Sequence, residues 1–379
     1  MFELFKTKKN HFIGIDFGTS AIRVVELSYH DQQTILENYG FVELDLARHG
    51  NIKPASLEQL LNDSLKKLLI KMNIQDVPVF VSIPGFSGLV AIIELPNMPA
   101  EELTKAIQFE AHRYIPSALD EIVLSWEIIE HIQQKEEQKE NEKVKNNNFI
   151  AKFKLGAESN NKPGEKIKVL LVAAPKKDIE HYDRLVSGAG LEVKAIELET
   201  FSIARALVGD ESGIFLIVDI GARATNIILV EKGLIQTNRN IDAGGDGITS
   251  AIADMLKIST ARAEIFKKEE KDILNSREAA LVIPVLDLIV GELRRVVDAY
   301  KEKNKECKID AVILSGGTSK MVGIKEYFTQ ALKEEIRIGN PWRGIAVGKE
   351  IAPLTKELSA SFAVALGLAL RGVEDYKKK

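Results

Sequence analysis

Two stretches decide the reading of this chain: Phe12-Ile13-Gly14-Ile15-Asp16-Phe17-Gly18 and, 203 residues later, Phe215-Leu216-Ile217-Val218-Asp219-Ile220-Gly221. In each, an apolar run ends in Asp, then one residue, then Gly. A few mostly small residues follow and lead into a second apolar run, 21–27 in the first copy and 226–230 in the second. Apolar runs bounded by such turns are the strands of hairpins. A single Asp-x-Gly after a strand is an ordinary turn; two copies at matching places, one opening each half, point to a duplicated unit with a shared task. Glycine lets the backbone turn tightly and come close to a ligand, and successive N–H groups of such a turn form a nest for an anion. A carboxylate repels phosphate, but it suits the hydrated Mg²⁺ that accompanies a triphosphate. Asp16 and Asp219 are therefore the candidate Mg²⁺ holders, through water, and the two turns are expected to face each other across a cleft.

Working outward, strand-like and helix-like periods alternate, which makes α/β the default architecture. Strand-like runs at 77–83, 89–95, 122–132, 167–173, 191–196 and 309–314 are interleaved with helical stretches at 178–187, 200–207, 244–256, 277–303 and 361–370. Leu57, Leu60, Leu61, Leu65, Leu68, Leu69 and Met72 recur at three and four residues, the stripe of a helix packing on one face. A further helix opens after Pro99 with Glu101 and Glu102 in its first turn and is expected to stop near Pro116. Two more glycine turns join the first pair: Ser315-Gly316-Gly317-Thr318 after an apolar strand, and Ala243-Gly244-Gly245-Asp246-Gly247 before a helix whose N-terminus can face an anion.

The chain has 379 residues, room for two or three domains. A polar break at 210–213 is the expected crossing. Domain I is expected to span 1–212 and to take back the C-terminal helix, 361–379. It contains a small subdomain at about 85–174 with a charged insertion at 133–166; domain II is 213–360. Residues 133–148 hold four Lys and four Glu, the composition of a solvated segment. Net charge is 51 − 55 = −4, so there is no basic field for nucleic acid. The single cysteine, Cys307, permits no intrachain disulfide and no multi-thiolate metal site, which fits a reducing compartment. The longest run free of polar side chains is nine residues, 362–370, where a bilayer span needs about 20. Lysines at 6–9 and 377–379 read as solvated ends, so the protein is expected to be soluble and unprocessed, with any membrane contact indirect.

These ordered motifs resemble those of the actin, Hsp70 and sugar-kinase ATPases over nearly the whole chain. Asp16-Phe17-Gly18-Thr19-Ser20 is similar to the first phosphate loop of that superfamily. Asp219-Ile220-Gly221-Ala222-Arg223-Ala224-Thr225 is similar to the second, and Ser315-Gly316-Gly317-Thr318 to the adenosine turn. Ala263-Glu264-Ile265-Phe266-Lys267 matches A-E-x-x-K, whose Glu and Lys contact adenosine. Glu199-Thr200-Phe201-Ser202-Ile203-Ala204 resembles the first connecting segment, usually Glu-Pro-x-x-Ala, and 363–369 the second. The resemblance implies an actin-like (ribonuclease H-like) two-domain ATPase fold of the α/β class, with duplicated mixed sheets flanked by helices. It implies ATP and Mg²⁺ held by Asp16, Gly18, Thr19, Ser20, Asp219, Gly221, Ala222, Thr225, Gly244, Gly245, Glu264, Lys267, Gly316, Gly317 and Thr318. A side chain at 316 is expected to block adenosine by bulk.

Within the superfamily, the small subdomain resembles that of the FtsA and PilM group. Ser82-Ile83-Pro84-Gly85, Pro96-Asn97-Met98-Pro99, Ile107-Gln108-Phe109-Glu110-Ala111, Tyr114-Ile115-Pro116 and Gly339-Asn340-Pro341-Trp342 are similar to the PilM family of type IV pilus assembly proteins. Residues 371–379 are shorter and more polar than the membrane helix that ends FtsA proteins. The resemblance implies a cytoplasmic scaffold peripheral to the inner membrane. Its partner would be the cytoplasmic N-terminal tail of the inner-membrane protein PilN, with other pilus components and self-association left open. That tail is expected in a groove near Pro84 and the helix 101–114, with Ile107 and Phe109 assigned to core packing. Alternatives are an FtsA-like cytoskeletal or division protein and a sugar- or acetate-kinase-like phosphotransferase. Three positions carry open readings. Thr200 replaces the usual proline. Arg223 either pairs with phosphate or points to solvent. Glu199 either positions attacking water or caps a helix, so at most a slow ATPase is expected.

Overall fold

The computed structural model describes residues 10–44, 54–113, 118–132, 165–269, 272–275, 283–304 and 307–378. The charged insertion from 133 to 164, the lysines at 6–9, Tyr114-Ile115-Pro116, Arg277 and Lys379 lie outside the described residues. The first hairpin forms as its pattern demands. Strand β1 (His11–Phe17) pairs antiparallel with β2 (Ala21–His30), which pairs with β3 (Gln33–Glu43). β4 (Val79–Ile83) adds parallel on the other side of β1, followed by β8 (Val193–Leu198), while the two-residue β14 (Ile345–Ala346) caps the far edge. The second copy repeats this plan. β9 (Ile214–Ile220), β10 (Thr225–Glu231) and β11 (Leu234–Ile241) form the meander, and β12 (Ala311–Ser315) and β13 (Ile336–Ile338) extend it in parallel. The orders β3-β2-β1-β4-β8 and β11-β10-β9-β12-β13 are the same arrangement twice.

A third sheet, ordered β5-β7-β6, is built from β5 (Leu89–Pro96), β6 (Ile122–Ile132) and β7 (Lys166–Pro175). Helix α1 (Pro54–Met72) buries Leu65, Leu68, Leu69 and Met72 against the first sheet, as its stripe predicts. Helix α2 (Ala100–Ala111) buries Leu103, Ile107 and Ala111 on the third sheet. That leaves Phe109 on the opposite face, 73% exposed, and corrects its assignment to the core. Helix α3 (Lys176–Gly188) joins α1; α4 (Glu199–Leu207) follows β8. Helices α5 (Gly245–Leu256), α6 (Thr260–Lys268), α7 (Pro284–Lys303) and α8 (Ile324–Leu332) serve the second sheet, and α9 (Ala352–Leu358) and α10 (Ala363–Lys377) end the chain.

Alternation along β9 divides the core. Leu216 and Val218 face a cluster with Ile248, Leu286, Leu293 and Phe328, whereas Phe215 and Ile217 face a second cluster built on α4 and α10. Helices α4 and α10 are thus packed between the two large sheets. Their approach is close because α10 is rich in small residues. A Cβ at Gly367 would lie 1.9 Å from the carbonyl oxygen of Ser202 on α4, and a Cβ at Gly14 would lie 1.9 Å from that of Ala365. The crossing is pinned by Arg205, buried on α4, which donates to the Gly367 carbonyl oxygen at 2.8 Å and pairs in a fork with Glu197 at 2.7 and 3.1 Å. Burial raises the Glu197 carboxyl, and Arg205 and Arg371 more than offset it, holding it below the usual range.

Gly367→Ala and Gly14→Ala are expected to lower stability by at least about 3 kcal/mol, because backbone would have to separate. Gly291→Ala, mid-helix in α7 with nothing within 4 Å of its Cβ position, is expected to raise it by about 0.5–1 kcal/mol. Urea melts of the three variants check the contrast.

Candidate functional site

The ends of β1 and β9 deliver Asp16 and Asp219 to the wall of one cavity of about 580 Å³. Register places Arg23 opposite Asp16 and Asn226 opposite Asp219. Arg23 Nη1 lies 3.4 Å from Asp16 Oδ2. Glu199, first residue of α4, reaches the same cavity from between the sheets. Its Oε1 accepts from Gly85 N–H at 2.8 Å and from Asn226 Nδ2 at 2.7 Å. Helix capping is therefore not its role.

The three carboxylates feel each other. Burial pushes Glu199 up to about 7, with Asp219 and Asp16 adding to the rise against hydrogen bonds from Gly85 and Asn226. Burial likewise pushes Asp219 up to about 6, opposed by a hydrogen bond from Ser315. Asp16 is raised by burial, partly offset by Arg23. Among the described residues no group of three or more His, Cys, Asp or Glu is arranged to ligate a metal directly.

Gly18, Thr19 and Ser20 line the cavity from the first turn, and Gly221 and Ala222 from the second. Gly245, Glu264 and Lys267 line it from α5 and α6, and Gly316, Gly317 and Thr318 from the turn after β12. Thr225 and Gly244 are not brought to it. Thr225 is buried with its hydroxyl donating to Ala243 O at 2.7 Å, and a Cβ at Gly244 would lie 2.7 Å from the carbonyls of Gly221 and Ala222. These two fasten α5 to the second turn. The first amides of that helix serve the same purpose, since Gly245 N–H donates to Gly221 O at 2.9 Å and Asp246 N–H to Ala222 O at 2.8 Å.

Lys267 Nζ bonds Gly245 O at 3.0 Å and Thr249 Oγ1 at 2.7 Å and pairs with Glu264 Oε2 at 2.6 Å, bracing α6 on α5. Gly316 has φ +80°, and its Cβ would lie 2.3 Å from Ile220 O, so a side chain there breaks the junction with β9 rather than filling the cavity. Gly317, with nothing within 4 Å of its Cβ position, is the glycine that faces open space. Arg223 is exposed beside Asp242 at 3.5 Å, away from the cavity. Reasoning from sequence missed Arg23 and Asn226; the hairpin register, seven residues after each Asp, is the signal that finds them.

A family model described as type IV pilus assembly protein PilM matches residues 14–144 and 150–373. The chain belongs to the PilM family. Among solved structures, one titled as the PilM-PilN type IV pilus biogenesis complex is 25% identical, with TM-score 0.75, covering 95% of this chain and 98% of that one. The ethanolamine utilization protein EutJ of Carboxydothermus hydrogenoformans shares the fold at 17% identity and TM-score 0.52, covering 96% and 90%. FtsA of Bacillus subtilis is 21% identical over 357 residues, 87% of this chain and 78% of FtsA. PilM-family membership and the actin-like fold agree with the expectations from the motifs.

Carboxyls raised in the folded state bind protons more tightly there than in the unfolded chain. Their contribution to stability is complete below about pH 4 and is lost as pH rises through about 6 to 7. A rise from 4.5 to about 7 in one carboxyl corresponds to about 3 kcal/mol. Glu199→Gln and Asp219→Asn are each expected to stabilise the ligand-free protein by about 1–3 kcal/mol at pH 8 and to have little effect at pH 4.5. Denaturant melts at the two pH values check this.

Proposed function

We propose that the cavity holds ATP with Mg²⁺ and that the protein is a scaffold for the N-terminal tail of a PilN-like inner-membrane protein. The observation that carries the nucleotide reading is the convergence of buried Asp16 and half-buried Asp219 and Glu199 with glycine turns from both duplicated sheets. Asp16 and Asp219 would hold Mg²⁺ through its water. The turns at Gly18–Ser20 and Gly221–Ala222 would take the phosphates, and Glu264, Lys267, Gly317 and Thr318 the adenosine. The bound cation would supply charge neutralisation at the phosphates. Glu199, with one oxygen fixed by Gly85 and Asn226, would orient water, giving at most slow hydrolysis.

Support for the partner comes from the likeness to the PilM-PilN complex across nearly the whole of both chains. Attachment through such a partner would make this a cytoplasmic protein peripheral to the inner membrane, and no helix of the described residues is long and apolar enough to cross a membrane. The likeness to FtsA favours a second reading, a filament-forming division protein. Sedimentation with ATP separates the two, since pelleted polymers would support that one.

Calorimetry is expected to show ATP binding that needs Mg²⁺ and that weakens at least about tenfold in Asp16→Ala and Asp219→Ala, with both variants folded. Undiminished affinity in both overturns the nucleotide reading. A PilN-like N-terminal peptide is expected to retain the wild-type protein on beads, and its failure to do so overturns the partner reading.

A further inference from the structure

Thr200, where the connecting segment usually has proline, lies in a polar cluster that the nucleotide reading leaves unexplained. Gly85 opens a single 3-10 turn, Gly85–Ser87, that leads into β5. Its N–H donates to Glu199 Oε1 at 2.8 Å, and its carbonyl accepts from Asn240 Nδ2 at 3.2 Å. A Cβ there would lie 3.1 Å from Asn226 Oδ1, 3.1 Å from Thr200 Oγ1 and 3.2 Å from Asn240 Oδ1. Thr200, fully buried, accepts from Asn238 Nδ2 at 3.0 Å. One glycine on the path into the third sheet is thus gripped by α4, β10 and β11 together.

The grip has two sides. Glu199 and Asn226 line the cavity with Asp16 and Asp219. Asn238 and Asn240 line a second groove, of about 830 Å³, between β11 and residues 89–92 of β5. Both strands are edges of their sheets, so their outward backbone groups are available to an extended segment. The link from Gly85 to β5 has no slack, because a Cβ at Gly88 would lie 2.4 Å from Leu198 Cδ2 and 2.8 Å from Ala173 O.

We propose that Gly85, Glu199, Thr200, Asn226, Asn238 and Asn240 form a latch through which occupancy of the cavity sets the position of β5 against β11, and so the shape of the groove. The inference rests on the nucleotide reading. Glu199 Oε1 serves Gly85 and Asn226 at once, so a ligand that draws this carboxylate or the Asn226 amide toward the cavity slackens the hold on Gly85 N–H. Asn226 Oδ1, buried with no protein hydrogen-bond partner, leaves that amide an unused acceptor for a new arrangement. Thr200 supplies what proline cannot, a hydroxyl that ties Asn238 and thereby β11 to the same point.

The test is hydrogen–deuterium exchange of the full chain with and without Mg-ATP, with calorimetry in parallel. In the wild type, saturation is expected to change exchange at 85–92 by at least about threefold. In Asn240→Ala, affinity for Mg-ATP is expected to stay within about twofold, while residues 89–92 stop responding. Gly85→Ala, which wedges the latch, is expected to lose the response by a different route. Binding without any exchange change in the wild type, or a response kept in both variants, overturns the latch alone. No Mg-ATP binding to the wild type overturns the nucleotide reading and the latch with it.

Discussion

The close crossing of α10 over α4 and β1 is the constraint on which the arrangement depends. Two glycines, Gly14 and Gly367, allow backbone to touch backbone where any side chain would collide. A fully buried arginine fixes the contact by donating to the carbonyl of one of them. Because both helices are wedged between the duplicated sheets, the spacing of the two Asp-x-Gly turns follows from this crossing. Moving the helices apart by the width of a methyl group would widen the cavity that the turns enclose.

Two glutamates, only one residue apart from being neighbours, show how the same side chain is put to opposite uses. Glu197 is buried and Glu199 half-buried; Glu197 meets Arg205 and Arg371 and is held ionised. Glu199 loses water, meets hydrogen-bond donors but no cation, faces two other carboxylates, and is pushed toward neutrality, by desolvation most of all. The first arrangement is closed and structural, with its charges cancelled inside the protein. The second is not cancelled inside the protein, and its acids share one cavity with glycine turns from both sheets, which is why that cavity, rather than the larger ion-pair network, is the functional candidate.

Much of this was legible in the sequence because the motifs are backbone statements. An apolar run ending in Asp-x-Gly dictates strand and turn wherever it occurs, so β1, β9 and the turns were placed without tertiary information. The last strands of the two meanders, β3 and β11, were not, since Glu37, Asn38, Asn238, Arg239 and Asn240 interrupt any apolar pattern; strands toward the rim of a sheet tolerate polar residues that central strands do not. Phe109 was misjudged because hydrophobicity alone ranks it as core, whereas the i, i+4, i+8 row of Leu103, Ile107 and Ala111 turns it outward. Arg23 and Asn226 follow from the register of each hairpin, whereas the contacts of Gly85 depend on pairs more than a hundred residues apart, which no local pattern carries.

The duplicated hairpins are alike in backbone but not in what stands across from each acid, a guanidinium in one and an amide in the other. Two identical halves would form a pseudo-twofold pocket that accepts an elongated guest equally well in either direction. With Arg23 on one side only, the pocket has a head and a tail, so a guest that is itself unsymmetrical is seated one way round. The divergence of the facing residues, together with Glu264 and Lys267 supplied by one half alone, makes of a repeated fold a receptacle with unlike ends.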